Sequence, residues 1–216
     1  MVLFHLFYDI NLYIDLDISP IIIKLWQLSI AISFFIISGI SSNFLEKKEN
    51  IKRAIKLSIL GLLITIITYI FVRDQLIVFG VLNGLGISIL LVSLLSYIFD
   101  IKGRYFWIFL LLFILSYNLS KNYKMNFLRN LGPLSIILGF PYRGFYSTDY
   151  FPLIPWVFAY IGGRLLGKIL IKNNFYNFYG KSGFLSKVGQ NSLKIYLLHQ
   201  VLIYAIVYFF FNILFK

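Results

Sequence analysis

Long apolar runs, separated by short charged or Pro/Gly/Asn-rich breaks, recur along the chain and constrain its fold more than any single motif. They cover about 20–43, 54–72, 77–99, 105–119, 151–171 and 190–214. Crossing a hydrocarbon layer about 30 Å thick takes roughly 20 helical residues, and most of these runs approach or exceed that length. Water is a poor solvent for such a chain. Of its 216 residues 60% are hydrophobic and 13% charged, against about 25% charged in an ordinary soluble domain. The pattern predicts an all-α, polytopic membrane bundle of six full spans, forming one transmembrane domain over 1–216. A further apolar start, about 1–14, is too short to cross. It reads as a partial first span lacking its N-terminal portion, or as a re-entrant or interfacial segment.

The formal charge of +12 would point to nucleic acid in a soluble protein, but here the basic residues punctuate the apolar runs, and no nucleic-acid partner is expected. Lys47, Lys48, Lys52, Arg53, Lys56, Lys102, Arg104, Lys172, Lys181 and Lys187 fall on one side of the predicted bilayer. Lys24, Arg73, Lys121, Lys124, Arg129, Arg143 and Lys216 fall on the other, together with Asp9, Asp15, Asp17, Asp74 and Asp149. The positive-inside rule makes the first side cytoplasmic. The N-terminus is then inside and the C-terminus outside.

Several motifs stand out. In FHLFYDI, residues 4–10, His5 and Asp9 lie one helical turn apart with Tyr8 beside them. A carboxylate beside an imidazole raises its basicity, as a general base requires; an interfacial histidine bonded to a neighbouring turn has the same spacing. In STDYFPLIPW, residues 147–156, Pro152 and Pro155 suit the first turn of a helix and Asp149 complements its positive end. A functional Asp149 toward the outer end of the first segment is the second reading. FGVLNGLG, residues 79–86, offers Gly80, Gly84 and Gly86 for close helix approach, while Asn83 either bonds another helix or lines a polar cavity. In GQNSLKIYLLHQ, residues 189–200, Asn191 or Ser192 can cap the last span, and His199 and Gln200 lie two to three turns inside it. An ionisable group at that depth is a functional candidate, and a histidine bonded to a carbonyl or glutamine is the alternative. Arg164 and Lys168 either snorkel to the cytoplasmic face or line a vestibule for an anionic ligand.

With no cysteine, two distant histidines and no HExxH, neither thiol chemistry nor a metal site is expected. The chain also lacks a P-loop and GxSxG.

The stretches FHLFYDI (4–10), ISFFIISGISS (32–42), FGVLNGLGISILL (79–91), YSTDYFPLIPW (146–156) and VGQNSLKIYLLHQVLI (188–203) occur in an order and composition that resemble bacterial membrane proteins grouped with the catalytic domain of heparan-alpha-glucosaminide N-acetyltransferase. Members usually carry an Asp and an Arg-Gly pair ahead of the FH motif, which this chain starts too late to contain, and many have His where Asn83 stands here. The resemblance implies a membrane acyltransferase with acetyl-CoA as cytoplasmic donor. The acceptor would be an amine or hydroxyl of an extracytoplasmic sugar or envelope component. On this reading His5 serves as general base or transient acyl carrier, Asp9 orients it, and His199 is the reserve candidate. Tyr8, Asn83, Asp149 and Gln200 contact the acceptor, and Arg164 and Lys168 the donor. The alternative is a non-enzymatic permease or envelope assembly partner, and the sequence leaves the oligomeric state open.

Overall fold

The computed structural model describes residues 1–11, 13, 14, 16–122, 131–178 and 183–211. Asp15, Lys124, Arg129, Lys181 and Lys216, which enter the charge comparison, lie outside the described residues, as do the side chain of Lys121 and the last residues of the final apolar run. Among the described residues there is no strand. The helices are α1 (Val2–Asn11), α2 (Pro20–Ser41), α3 (Lys47–Phe71), α4 (Val81–Leu95), α5 (Phe106–Asn122), α6 (Pro133–Leu138), α7 (Leu153–Lys172), α8 (Phe184–Gln190) and α9 (Ser192–Phe209).

Among the described residues four helices are long and apolar enough to cross a membrane: α2 with the short turn after it (25 residues), α3 (25), α7 (20) and α9 (18). The helices of the third and fourth of the six expected spans are apolar but shorter. The third run was expected from 77 to 99, but Phe79 has a positive φ of 59°, Gly80 is extended, and the helix stops at Leu95. Its 15 residues rise about 22 Å at 1.5 Å each, and α5 has 17 residues. Apolar length and helical length differ because a greasy turn counts toward the first only. In the most apolar stretches of α2, α3 and α9, 17% of residues are buried within the protein. Exposed side chains such as Ile66, Ile70 and Phe71 are faces that hydrocarbon solvates and water does not.

The chain forms two compact units, residues 1–30 with 176–216 and residues 31–175; α2 contributes to both.

In the second unit small residues bring backbones together. A Cβ on Gly39 of α2 would collide with the Tyr160 carbonyl and the Arg164 amide, and one on Gly163 of α7 with the backbone of Ile36. Likewise Gly86 of α4 lies against Ser58 and Ala54 of α3, and Asn83 packs over Gly61 of α3. The α2–α3 turn is fastened by Asn50, whose buried Nδ2 donates to the carbonyls of Ser42 (2.9 Å) and Leu45 (3.3 Å). Trp156 gathers the aromatic core, with ring centroids of Phe151 at 4.8 Å, Phe35 at 5.0 Å and Phe113 at 5.5 Å.

Three sequence expectations about helix ends change. Pro152 precedes α7, Ile154 is non-helical (φ −98°, ψ 124°), and continuous helix runs from Pro155. The segment around Asp149 lies along 75–81, with Thr148 N donating to the Leu76 carbonyl and Phe151 N to that of Phe79 (3.0 Å each). Asp149 therefore serves the start of α4: its Oδ2 accepts from Val81 N at 3.2 Å, where the preceding Gly80 has no side chain to cap the helix. The last run divides into α8 and α9, and Asn191 makes no cap bond but donates through Nδ2 to the Lys187 carbonyl at 3.0 Å.

Candidate functional site

In the first unit α1 packs against α9, and Phe4 and Phe7 of α1 meet Trp26 of α2 with ring centroids at 5.3 and 5.7 Å. This apolar contact leaves the His5 and Asp9 side of α1 to face α9. The His5 and His199 rings lie edge to face at 4.8 Å between centroids. One turn further, Gln200 Nε2 lies 3.4 Å from each oxygen of the Asp9 carboxylate. Asp9 and His199 are both buried.

The bonding pattern fixes a tautomer. His199 Nδ1 is 2.6 Å from the Tyr196 carbonyl; that oxygen only accepts, so Nδ1 carries the proton. In the neutral ring Nε2 then holds the free lone pair. That nitrogen is buried without a partner, and so is Gln200 Oε1. With the Asp9 carboxylate they make a cluster rich in acceptors and short of donors. A ligand group bearing two or three N–H or O–H bonds is its chemical complement.

The one-turn spacing of His5 and Asp9 produces no hydrogen bond between them. Asp9 is short and meets Gln200 of α9, while His5 meets His199. Tyr8, one turn from His5 on α1, is half exposed. The sequence singled out His5 with Asp9 and His199 with Gln200 as two separate motifs, and the structure brings the two together. Their pairing across 191 positions has no local sequence signal.

The other candidates belong to the second unit. Asn83 is buried against Gly61. Asp149 keeps some accessible surface as a residue, but its carboxyl is closely surrounded. Burial pushes that carboxyl up to about 6, and the Val81 N–H bond only partly offsets it. Burial likewise pushes the Tyr150 phenol up; its hydroxyl donates to the Ile136 carbonyl at 2.5 Å and ties α6 to the start of α7. Lys168 Nζ donates to Asp100 Oδ1 at 2.5 Å and to the Ile101 carbonyl at 2.8 Å. The bond to Lys168 holds the exposed Asp100 carboxyl below the usual carboxylate range. Arg164 has its Nη1 buried without a partner. Sequence reasoning missed Arg53, which it counted as a loop charge, and Tyr160. The signal for Tyr160 was its four-residue spacing from Arg164 on one helix. No group of three or more metal-ligating side chains occurs among the described residues.

No curated protein and no solved structure gives a significant match. The family described as "Heparan-alpha-glucosaminide N-acetyltransferase, catalytic" matches residues 1–201. The match takes in nearly all of the described helices: the chain belongs to the catalytic-domain family of heparan-alpha-glucosaminide N-acetyltransferase.

Proposed function

We propose that the protein is a membrane acetyltransferase, a single domain over 1–216 that passes an acetyl group from cytoplasmic acetyl-CoA to an amine or hydroxyl of an extracytoplasmic sugar or envelope component. In this reading α4 and α5 also cross the bilayer, giving six full spans, and with the partial first segment counted as a further crossing the N-terminus lies inside and the C-terminus outside, as the charge bias favours.

The observation that carries the proposal is the acceptor-rich cluster of the first unit: His199 Nε2 and Gln200 Oε1, both unmatched, with the Asp9 carboxylate, whose two oxygens share the one Gln200 Nε2 donor. Buried acceptors left unpaired are costly, and an amine or hydroxyl nucleophile supplies the donors they lack. Acetyl-CoA supplies the activated acyl group. His199, with Nδ1–H held by Tyr196, is oriented to take the nucleophile's proton on Nε2. His5 stands against its ring and serves as second base or transient acyl carrier. Asp9 and Gln200, with Tyr8 on α1, hold the acceptor in the first unit; Asn83 and Asp149, in the second, are separate candidates for acceptor contact. At the basic end of the second unit Arg164 and Lys168 contact the anionic part of the donor. Arg164 fits that role through its unmatched donor, whereas Lys168 is already shared with Asp100.

The test is transfer from labelled acetyl-CoA to an aminosugar enclosed in vesicles containing the purified protein. Losing a positioned base costs about 10²–10⁴-fold in rate, so His199→Ala is expected to lose at least about 100-fold while the protein stays folded. Absence of transfer by the wild-type protein to amine and hydroxyl acceptors alike would overturn the proposal. Full activity in His5→Ala/His199→Ala would overturn the assignment of the base.

A further inference from the structure

The second unit contains a polar cluster with the opposite imbalance, an excess of donors. Where α2 turns into α3, Ser38, Ser41 and Ser42 face the start of α3. Arg53 reaches back to them: Nη2 donates to Ser38 Oγ at 2.9 Å and Nη1 to Ser41 Oγ at 3.2 Å. From α7, Tyr160 and Arg164 enter the same neighbourhood on one helical face. Tyr160 is 0% exposed, and its hydroxyl makes no hydrogen bond of good geometry. Its polar surroundings are Ser42 and the guanidinium groups of Arg53 and Arg164. The Arg164 Nη1 is also buried without a partner. Neither arginine is in contact with a carboxylate: the ion pairs among the described residues are Lys52–Glu49 and Lys168–Asp100, and Arg164 acts on the exposed Asp100 only from a distance.

Two cations without a paired carboxylate and two buried donors without a partner, Arg164 Nη1 and the Tyr160 hydroxyl, form an incomplete constellation. Charge in a membrane protein's interior is expensive unless a partner or function retains it, and a buried donor left unmatched is penalised. The missing partner must be anionic and offer several acceptor oxygens. A phosphate group meets both conditions, since guanidinium forks pair with its oxygens two at a time. We propose that Arg53, Arg164 and Tyr160 form a phosphate seat at the end of the unit bearing Lys47, Lys48 and Lys52. The phosphates of a soluble coenzyme and the headgroup of an anionic lipid share this chemistry. The first source deepens the proposed donor role of Arg164 and rests on it; the binding assay below does not involve acetyl transfer.

The full chain, purified in neutral detergent, is titrated with inorganic pyrophosphate and with coenzyme A, and separately examined by native mass spectrometry with phosphatidylglycerol. Saturable binding of pyrophosphate or coenzyme A is expected, weakened about tenfold or more by either Arg53→Gln or Arg164→Gln. Arg53→Lys retains part of the affinity, and Lys56→Gln, which removes the same charge from the same helix, stays within about twofold. Phosphatidylglycerol adducts that disappear in both Gln variants, with no binding of the soluble probes, assign the seat to a lipid headgroup instead. Should the Gln variants fail to fold, phenylglyoxal labelling of the wild-type protein decides: bound probe protects Arg53 and Arg164 together. Equal binding by wild type and both variants, no binding of any probe, or labelling of the two arginines unaffected by probe would each overturn the seat. Absence of acetyl transfer with these binding results intact would refute the enzymatic reading alone.

Discussion

Asp149→Asn isolates one carboxyl whose environment works against its charge. The Asp149 carboxyl lies where the segment before α7 meets the start of α4, and its pKa rises from an ordinary 3.8 to about 6 because burial outweighs the Val81 N–H bond. A folded-state pKa above the unfolded one means that the folded protein holds the proton more tightly. This contribution to stability is fully present below about 4 and is lost as the pH rises through about 6. At 1.36 kcal/mol per pH unit the loss is at most about 3 kcal/mol, and the residue's remaining exposure reduces it to about 1–2 kcal/mol. For a protein of this size that corresponds to roughly 2–8 °C in Tm. Asparagine keeps an oxygen for the Val81 amide and removes the charge. In scans at fixed heating rate, followed through tryptophan fluorescence, the wild-type Tm should fall relative to Asp149→Asn as the pH rises from 4 to 7.5. The variant should equal or exceed the wild type at the upper end. Asp149→Ala, which also removes the cap, should fall below Asp149→Asn by about 1 kcal/mol at every pH. Parallel wild-type and Asn profiles across this window would refute the argument, because the carboxyl would then titrate alike in folded and unfolded chains.

Two further perturbations test the packing and the exposed charge. Gly163→Ala should destabilise by about 1–3 kcal/mol or more, because the new Cβ meets the Ile36 backbone. Gly162→Ala places its Cβ 3.8 Å from the Phe106 ring, an ordinary contact, and should be tolerated; thermal unfolding in detergent that ranks the two equally would contradict the α2–α7 approach. Asp100→Asn breaks the Lys168 pair, yet Asp100 is 87% exposed, so the cost should stay below about 1 kcal/mol in the same assay.

The membrane class, the positions of the main helices and the polar residues worth testing are legible in the sequence because each is written locally. The apolar stretch that follows the charged first turns of α3 or a histidine deep in α9 needs no partner to be noticed. What resists reading is whatever two distant segments decide together. Asp149 looks like a cap for the helix that follows it; it caps α4 instead because its segment lies along 75–81. His5 and Asp9 look like a pair from their spacing, yet each finds its partner on α9. Arg53 shows the same limit in terms of charge. In a tally of loop cations it is one of ten, and only the fold reveals that it turns away from solvent toward Ser38 and Ser41. Local spacing gives the direction of a side chain on its own helix, and the neighbouring helix determines whether that direction ends in solvent, lipid or a partner. The two imbalances in this protein, unmatched acceptors in one unit and unmatched donors in the other, arise at that second step. They can therefore be tested by ligands as well as by mutation, since a ligand of the right polarity supplies what the chain leaves unpaired.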